Sequence, residues 1–211
     1  MIDLENVRRY RPGTIIFVPG IKLTPAAVMM LVHRGRDTVL FIVRSASVRK
    51  HRGQVGLPGG RVEGSETPIE AAYRETREEI GLGRGVIEVV GEIDRLQTNT
   101  GYLVHSFVCL WEEDGPLVPD EREVSDIFEV PYEFLLDPEN IRLEIWRRYC
   151  ITKEMYFWEY EGRTIWGVTG DILASLYRVM RGENLADVLS PSPSRMREFI
   201  GSRALGFSRS K

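Results

Sequence analysis

Short apolar runs separated by Gly, Pro and Asp turns dominate the first half of the chain. Residues 14–18 (TIIFV), 26–33 (AAVMMLVH) and 38–44 (TVLFIVR) are rich in β-branched side chains and predict strands. The last two flank Arg34-Gly35-Arg36-Asp37 and predict a hairpin. Neither alternates cleanly, the pattern of central strands buried on both faces. Residues 87–96 and 102–111 predict a long hairpin across Asn99-Thr100-Gly101. Residues 126–130 predict a strand stopped by Pro131, and 133–136 a short helix ended by Asp137-Pro138. Residues 155–160 and 164–168 predict a second hairpin around Gly162. Ile172, Leu173, Leu176, Val179 and Met180 recur at helical spacing over 171–180, with Thr169 as N-cap and Gly182 near the end. The polar first 13 residues predict an arm, or an edge strand. After the break at Ser190-Pro-Ser-Pro-Ser, a short helix is expected over 195–201.

One stretch stands apart. Thr67-Pro68-Ile69-Glu70 reads as a helix start with a capping box, and Gly81 as its left-handed terminator, so a helix is predicted over 68–80. At 100° per residue, Ile69, Ala72, Tyr73, Thr76 and Ile80 face the core. Glu75, Glu78 and Glu79 share the adjacent side; Glu70, Arg74 and Arg77 take the rest. Like charges at this spacing cost about 0.2–0.5 kcal/mol per pair when exposed. A solvated acidic face with Arg74 pairing to Glu78 or Glu70 is one account. A hard cation held by the carboxylates against a phosphate is the stronger one. The order of elements predicts an α/β fold of α+β type, an α/β/α sandwich around a mixed sheet.

Composition narrows the class. With 211 residues, 43% hydrophobic and 28% charged, the chain suits one domain. Residues 1–189 are expected to form it, with 1–25 as an N-terminal arm or strand and 190–211 as a basic tail. The net charge of −3 argues against a general nucleic-acid binder. In the tail, Arg195, Arg197, Arg203, Arg209 and Lys211 oppose only Glu198, a pattern also shown by a solvated charged terminus. Two cysteines, Cys109 and Cys150, make neither a disulfide framework nor a zinc site. The polar N-terminus and the lack of a 20-residue apolar run lead to the expectation of a cytoplasmic protein with no membrane contact.

Residues 45–60 form a long loop before the helix. Arg44, Arg49, Lys50, His51 and Arg52 make it cationic, and Gly53, Gly56, Gly59 and Gly60 make it pliant. Guanidinium forks suit phosphate oxygens.

Gly60, Glu66 and the run Arg74-Glu75-Thr76-Arg77-Glu78-Glu79-Ile80-Gly81-Leu82 resemble the Nudix box, with Thr76 where a bulky aliphatic residue is usual. The resemblance implies hydrolysis of a nucleoside diphosphate linked to another group, with Mg²⁺ or Mn²⁺. It implies Glu75 and Glu79 as metal ligands and Glu78 as a further ligand or base. It adds the Gly60 carbonyl to the ligands, with Glu66 and Arg74 as structural partners. Arg44-Ser45, Arg49, Gly53 and Pro58-Gly59-Gly60, with His51 and Gln54, resemble the second signature of the coenzyme A pyrophosphatase branch. Leu57 and Ile42 depart from it, where Phe and Thr are usual. Residues 98–104 and 130–138, and the stretch with Ile165-Trp166-Gly167-Val168-Thr169, extend that likeness.

The branch implies a coenzyme A-like substrate cut to 3′,5′-ADP and 4′-phosphopantetheine, with Arg44, Ser45, Arg49, His51, Gly53 and Gly59 as substrate-binding residues. ADP-ribose, a nucleotide sugar, a dinucleotide or an oxidised nucleoside triphosphate is the alternative substrate. A non-catalytic or RNA-end module is the alternative class, and a homodimer is compatible with the chain. His51 also reads as a loop organiser, Trp166 as core or pocket wall, and Glu121 and Glu123 as solvated surface or as outlying metal carboxylates.

Overall fold

The computed structural model describes residues 2–15, 20–46, 53–112, 115–148, 151–190 and 197–198. Along the chain these form α1 (Glu5–Arg9), β1 (Thr14–Ile15), β2 (Thr24–His33), β3 (Thr38–Arg44), β4 (Val55–Gly56), β5 (Gly59–Arg61) and α2 (Pro68–Ile80). There follow β6 (Ile87–Glu92), β7 (Arg95–Gln97), β8 (Tyr102–Trp111), β9 (Val124–Pro131), α3 (Tyr132–Leu135), β10 (Ile141–Arg148) and β11 (Ile151–Tyr160). The described chain ends with β12 (Arg163–Ile165), α4 (Val168–Arg181), α5 (Leu185–Val188) and β13 (Arg197–Glu198).

The first nine strands make one mixed sheet among the described residues, and β10–β13 a smaller one. The sheet is organised on β2, which pairs in parallel with β8 from Thr24↔Tyr102 to His33↔Trp111. The expected β2–β3 hairpin is present, but its pairing covers only Val32↔Val39 and His33↔Thr38. Beyond that the two strands part. In the fork, β5 pairs with β2 at Ala26–Val28 and β4 pairs with β3 at Ile42–Val43. The fork brings the Gly-rich end of the long loop into the sheet, beside α2.

Both faces of β2 and β3 are buried, as their unalternating pattern predicts. Ala27, Met29, Leu31, Leu40 and Ile42 pack against Ala71, Ala72 and Ile80 of α2. Met30, Val32, Val39 and Phe41 lie on the opposite face, in one core with Leu173 and Leu176 of α4 and with Trp158 and Ile165 of the small sheet. The layers are therefore helix, mixed sheet, then helix with small sheet, and the α/β/α expectation holds.

Several local expectations change. The polar arm contains the short helix α1, which buries Val7 against Gly91. The predicted strand over 87–96 is two strands, with a register shift at Val89–Gly91 and a buried break at Ile93-Asp94. Strand β10 went unread because Arg142, Glu144, Arg147 and Arg148 interrupt its apolar run. Thr169 does not cap α4. Gly167 holds that position with φ 70°, and the Thr169 hydroxyl donates to the Val55 carbonyl at 3.2 Å, tying α4 to β4. In the expected 195–201 helix, the two described residues instead pair in parallel with Trp146 and Arg147. Among the described residues no helix is long and apolar enough to cross a membrane.

Candidate active site

Helix α2 begins and ends where its sequence dictates. The Thr67 N–H and hydroxyl donate to the Glu70 carboxylate at 2.8 and 2.7 Å, and Gly81 closes the helix at φ 76°. Its buried arc is wider than the apolar pattern alone allows. Ala71, Ala72, Thr76 and Ile80 are inside, and so is Glu79, only 1% exposed.

Glycine backbone, not apolar side chains, covers Glu79. At Gly59, with φ 147°, a Cβ would lie 2.2 Å from the Ala27 carbonyl oxygen, so only glycine lets β5 pass this close to β2. The Gly59 N–H then donates to Glu79 at 2.9 Å. A Cβ on Gly60 would overlap the Glu75 carboxylate at 2.3–2.6 Å, which places the Gly60 backbone directly against that group. Arg44, at the end of β3, reaches Glu79 at 3.3 Å.

Burial is the main force pushing the Glu79 pKa up to about 7. The Gly59 N–H and Arg44 oppose it, while the charges of Glu75 and Glu123 add to it. Glu75 is likewise raised by burial, against Arg74. Arg74 gathers the outer carboxylates, donating to Glu66 at 2.8 Å, Glu75 at 2.9 Å, Glu78 at 3.1 Å and the Arg61 carbonyl at 3.0 Å. The sequence offered Glu78 or Glu70 as its partners; Glu70 is instead taken by the cap.

A second loop closes the far end of the helix. Val118 N–H donates to the Ile80 carbonyl and Asp120 N–H to the Glu79 carbonyl, both at 3.0 Å. The Glu123 carbonyl accepts from Ser45 N–H at 2.8 Å, and its charge acts on Glu75 and Glu79. Of the two acidic residues singled out here by sequence, Glu123 thus stands at the site. The same segment joins Ser45 to it. Gly53 N–H donates to the Arg44 carbonyl at 2.8 Å, and Arg44 N–H to the Gln54 carbonyl at 3.0 Å, pinching the cationic loop at its neck. Arg49 and His51 lie outside the described residues. Glu78, with its side chain 60% exposed, stands at the rim.

Among the described residues, no three His, Cys, Asp or Glu side chains surround one point as a ready ligand set. The carboxylates are held by Arg74, Arg44 and Gly59 instead. Their chemistry still fits a hard divalent cation. Glu75 and Glu79 are buried oxygen donors raised partly by neighbouring negative charge, and the Gly60 backbone lies against Glu75.

A family model of the NUDIX domain matches residues 23–151. The chain belongs to the Nudix family. That span contains the forked strands, the cationic loop, α2 and the loop carrying Glu123. The uncharacterized Nudix hydrolase NudL of Escherichia coli is 35% identical over 153 residues, covering 72% of this chain and 79% of that protein. NudL of Yersinia enterocolitica is 33% identical, covering 72% and 78%. Among solved structures, the chain is similar to a MutT protein from Methanosarcina mazei (21% identity, TM-score 0.46, covering 56% and 84%). It is also similar to an Ap4A hydrolase of C. elegans (18%, TM-score 0.44, 51% and 80%). The family match and the NudL relatives make the protein a Nudix pyrophosphohydrolase.

Proposed function

We propose that this Nudix hydrolase cleaves the diphosphate of coenzyme A or its acyl derivatives, releasing 3′,5′-ADP and 4′-phosphopantetheine. The observation that carries this reading is the pairing of Arg44 with Gly53 and Gln54, which sets the neck of a stretch whose sequence holds Arg49, Lys50, His51 and Arg52 beside the Arg44–Glu79 contact. A substrate with a phosphate beyond its diphosphate would meet arginine there. The two departures from the branch signature fall on packing positions. Ile42 is fully buried and Leu57 is 5% exposed, so both substitutions exchange side chains inside the core.

Glu75, Glu79 and the Gly60 carbonyl would hold Mg²⁺ or Mn²⁺, which when bound supplies Lewis-acid stabilisation of the phosphate charge and lowers the pKa of water. Arg74 and Glu66 fix Glu75 and the loop before α2. Gly59 N–H fixes Glu79, and Arg44 is placed to turn from Glu79 to a substrate phosphate. Glu123, whose charge acts on both glutamates, would supply a further carboxylate, with Glu78 at the rim. Water oxygen bonds to one phosphorus of the diphosphate, the bridging P–O bond breaks, and the water proton passes to a carboxylate oxygen.

A substrate panel tests the proposal: coenzyme A, ADP-ribose, NADH and 8-oxo-dGTP with Mg²⁺ or Mn²⁺, products identified chromatographically. Coenzyme A should be cut, and Glu79→Gln should lower kcat by about 100-fold or more, as loss of several kcal/mol of charge stabilisation requires. If coenzyme A survives while ADP-ribose is cut, the substrate assignment is wrong. If Glu79→Gln keeps full activity, the metal assignment is wrong.

A further inference from the structure

The small sheet carries an aromatic cluster on the face turned away from the main core. Pairing of Arg142↔Phe157 and Trp146↔Lys153 puts Arg142, Trp146 and Phe157 on one side, while Leu143, Trp158 and Ile165 point into the core. Trp166 follows β12 and joins them. Phe157 and Trp166 are nearly parallel, with centroids 5.9 Å apart and planes 10° apart. Trp146 lies 6.0 Å from each. Arg142 caps the far side, its guanidinium 4.4 Å from the Phe157 centroid. Trp146 is oriented by its Nε1–H, which donates at 2.8 Å to Glu144, itself only 1% exposed. Trp146 and Trp166 are partly exposed, whereas Phe157 is 7% exposed, covered by Trp166 and Arg142, and Trp111 and Trp158 are 2% and 0% exposed.

The cluster is joined to the neck of the cationic loop through few bonds. Gly167, in a conformation that L side chains rarely adopt, turns the chain from Trp166 into α4. Two residues on, Thr169 bonds Val55, and Val55 pairs with Val43, next to Arg44. Trp166 thus lies between β12, which contacts β4, and the Thr169–Val55 bond to that same strand. Polarisable ring faces beside a phosphate-binding segment suit a planar π system, and stacking on aromatic side chains accepts any base.

From this juxtaposition we propose that Trp166, backed by the buried Phe157 and flanked by Trp146, is the stacking platform for the nucleobase of the substrate. The inference rests on the nucleotide-hydrolase reading above. Base stacking predicts that Trp166→Leu, which keeps apolar volume but removes the ring, raises KM for coenzyme A by about 5- to 150-fold with kcat within about twofold. Trp166→Phe should restore most of the affinity.

Fluorescence supplies a readout independent of turnover. Titrating adenosine 3′,5′-diphosphate into the metal-free protein should quench the partly exposed tryptophans, pyrophosphate should not, and Trp166→Leu should lose most of the quenching. Unchanged KM together with undiminished quenching in Trp166→Leu overturns the platform. So does a concentration-dependent blue shift without nucleotide, which would mean that a second copy covers this face. If the panel shows another nucleotide to be the substrate, the coenzyme A reading fails and the same variants decide the platform on that nucleotide. If coenzyme A is cut and Trp166→Leu binds it normally, the platform alone fails.

Discussion

Thr76 departs from the aliphatic residue usual at its place in the Nudix box, and its environment shows the cost. It is fully buried, and its hydroxyl has no hydrogen-bond partner among the described residues. A buried hydroxyl without a partner is penalised by desolvation, while its methyl packs normally. Thr76→Val keeps the shape and removes the penalty. The variant should gain about 1 kcal/mol, read as a higher urea midpoint at unchanged m-value. A lower midpoint would mean that the hydroxyl has a partner in solution. Glu79 is the opposite case, a buried polar group whose partners, Gly59 N–H and Arg44, belong to the site itself.

Among elements, the joint between α1, the β6–β7 break and α4 depends on one carboxylate. Asp94, 1% exposed, accepts from Tyr10 at 2.8 Å, Gly13 N–H at 3.0 Å, Ser175 at 2.7 Å and from Arg178. Burial alone would raise its pKa, but hydrogen bonds from Ser175, Tyr10 and Arg178 outweigh it and leave the group below its ordinary value. A depressed folded pKa contributes stability that is fully present above the unfolded value, about 3.9, and is lost as pH falls through the folded one. Thermal unfolding followed from pH 7 down to pH 2 should show Tm falling below about pH 4. In Asp94→Asn this component should be flatter, and stability near neutral pH about 1.5–3 kcal/mol lower. Equal acid sensitivity in the two proteins would assign the loss to other carboxylates. Strand β7 starts from this joint and β1 pairs with it, so the apolar pattern of 87–96 could not reveal that a buried charge divides the strand.

For the whole molecule, the arrangement of carboxylates predicts linkage between metal and stability. Glu75 and Glu79 come from one helix but are enclosed by β5, β3 and the 117–124 loop, so a cation bound there favours the folded chain. At 100 times its dissociation constant, Mg²⁺ or Mn²⁺ should add about 2.7 kcal/mol, a rise in Tm of roughly 5–10 °C for a domain of this size. Chelator should reverse the shift, and Glu79→Gln should blunt it. No shift at saturating metal would sink the assignment of these residues as ligands.

Much of this organisation is local and therefore readable from sequence. The bounds of α2 follow from Thr67, Pro68, Glu70 and Gly81, which satisfy or end the backbone within one turn. The double burial of β2 and β3 follows from unbroken apolar runs, and the box residues announce the family by type and spacing. The tertiary structure decided which side of α2 is covered. The helical wheel left Glu79 beside the core, and Gly59-Gly60, entering the fork between β2 and β3, put it inside. That fork depends on β2–β5 pairing between residues 31 to 35 positions apart, which no local periodicity encodes. The same long-range closure brought the charge of Glu123 to bear on Glu75 and Glu79, drew Thr169 from a helix cap to Val55, and gathered three aromatic rings on the small sheet. Local chemistry determines elements and reaction class because caps, turns and donor types act within a few residues. Enclosure, electrostatic neighbours and the shape of the substrate site arise only when distant segments exclude water together.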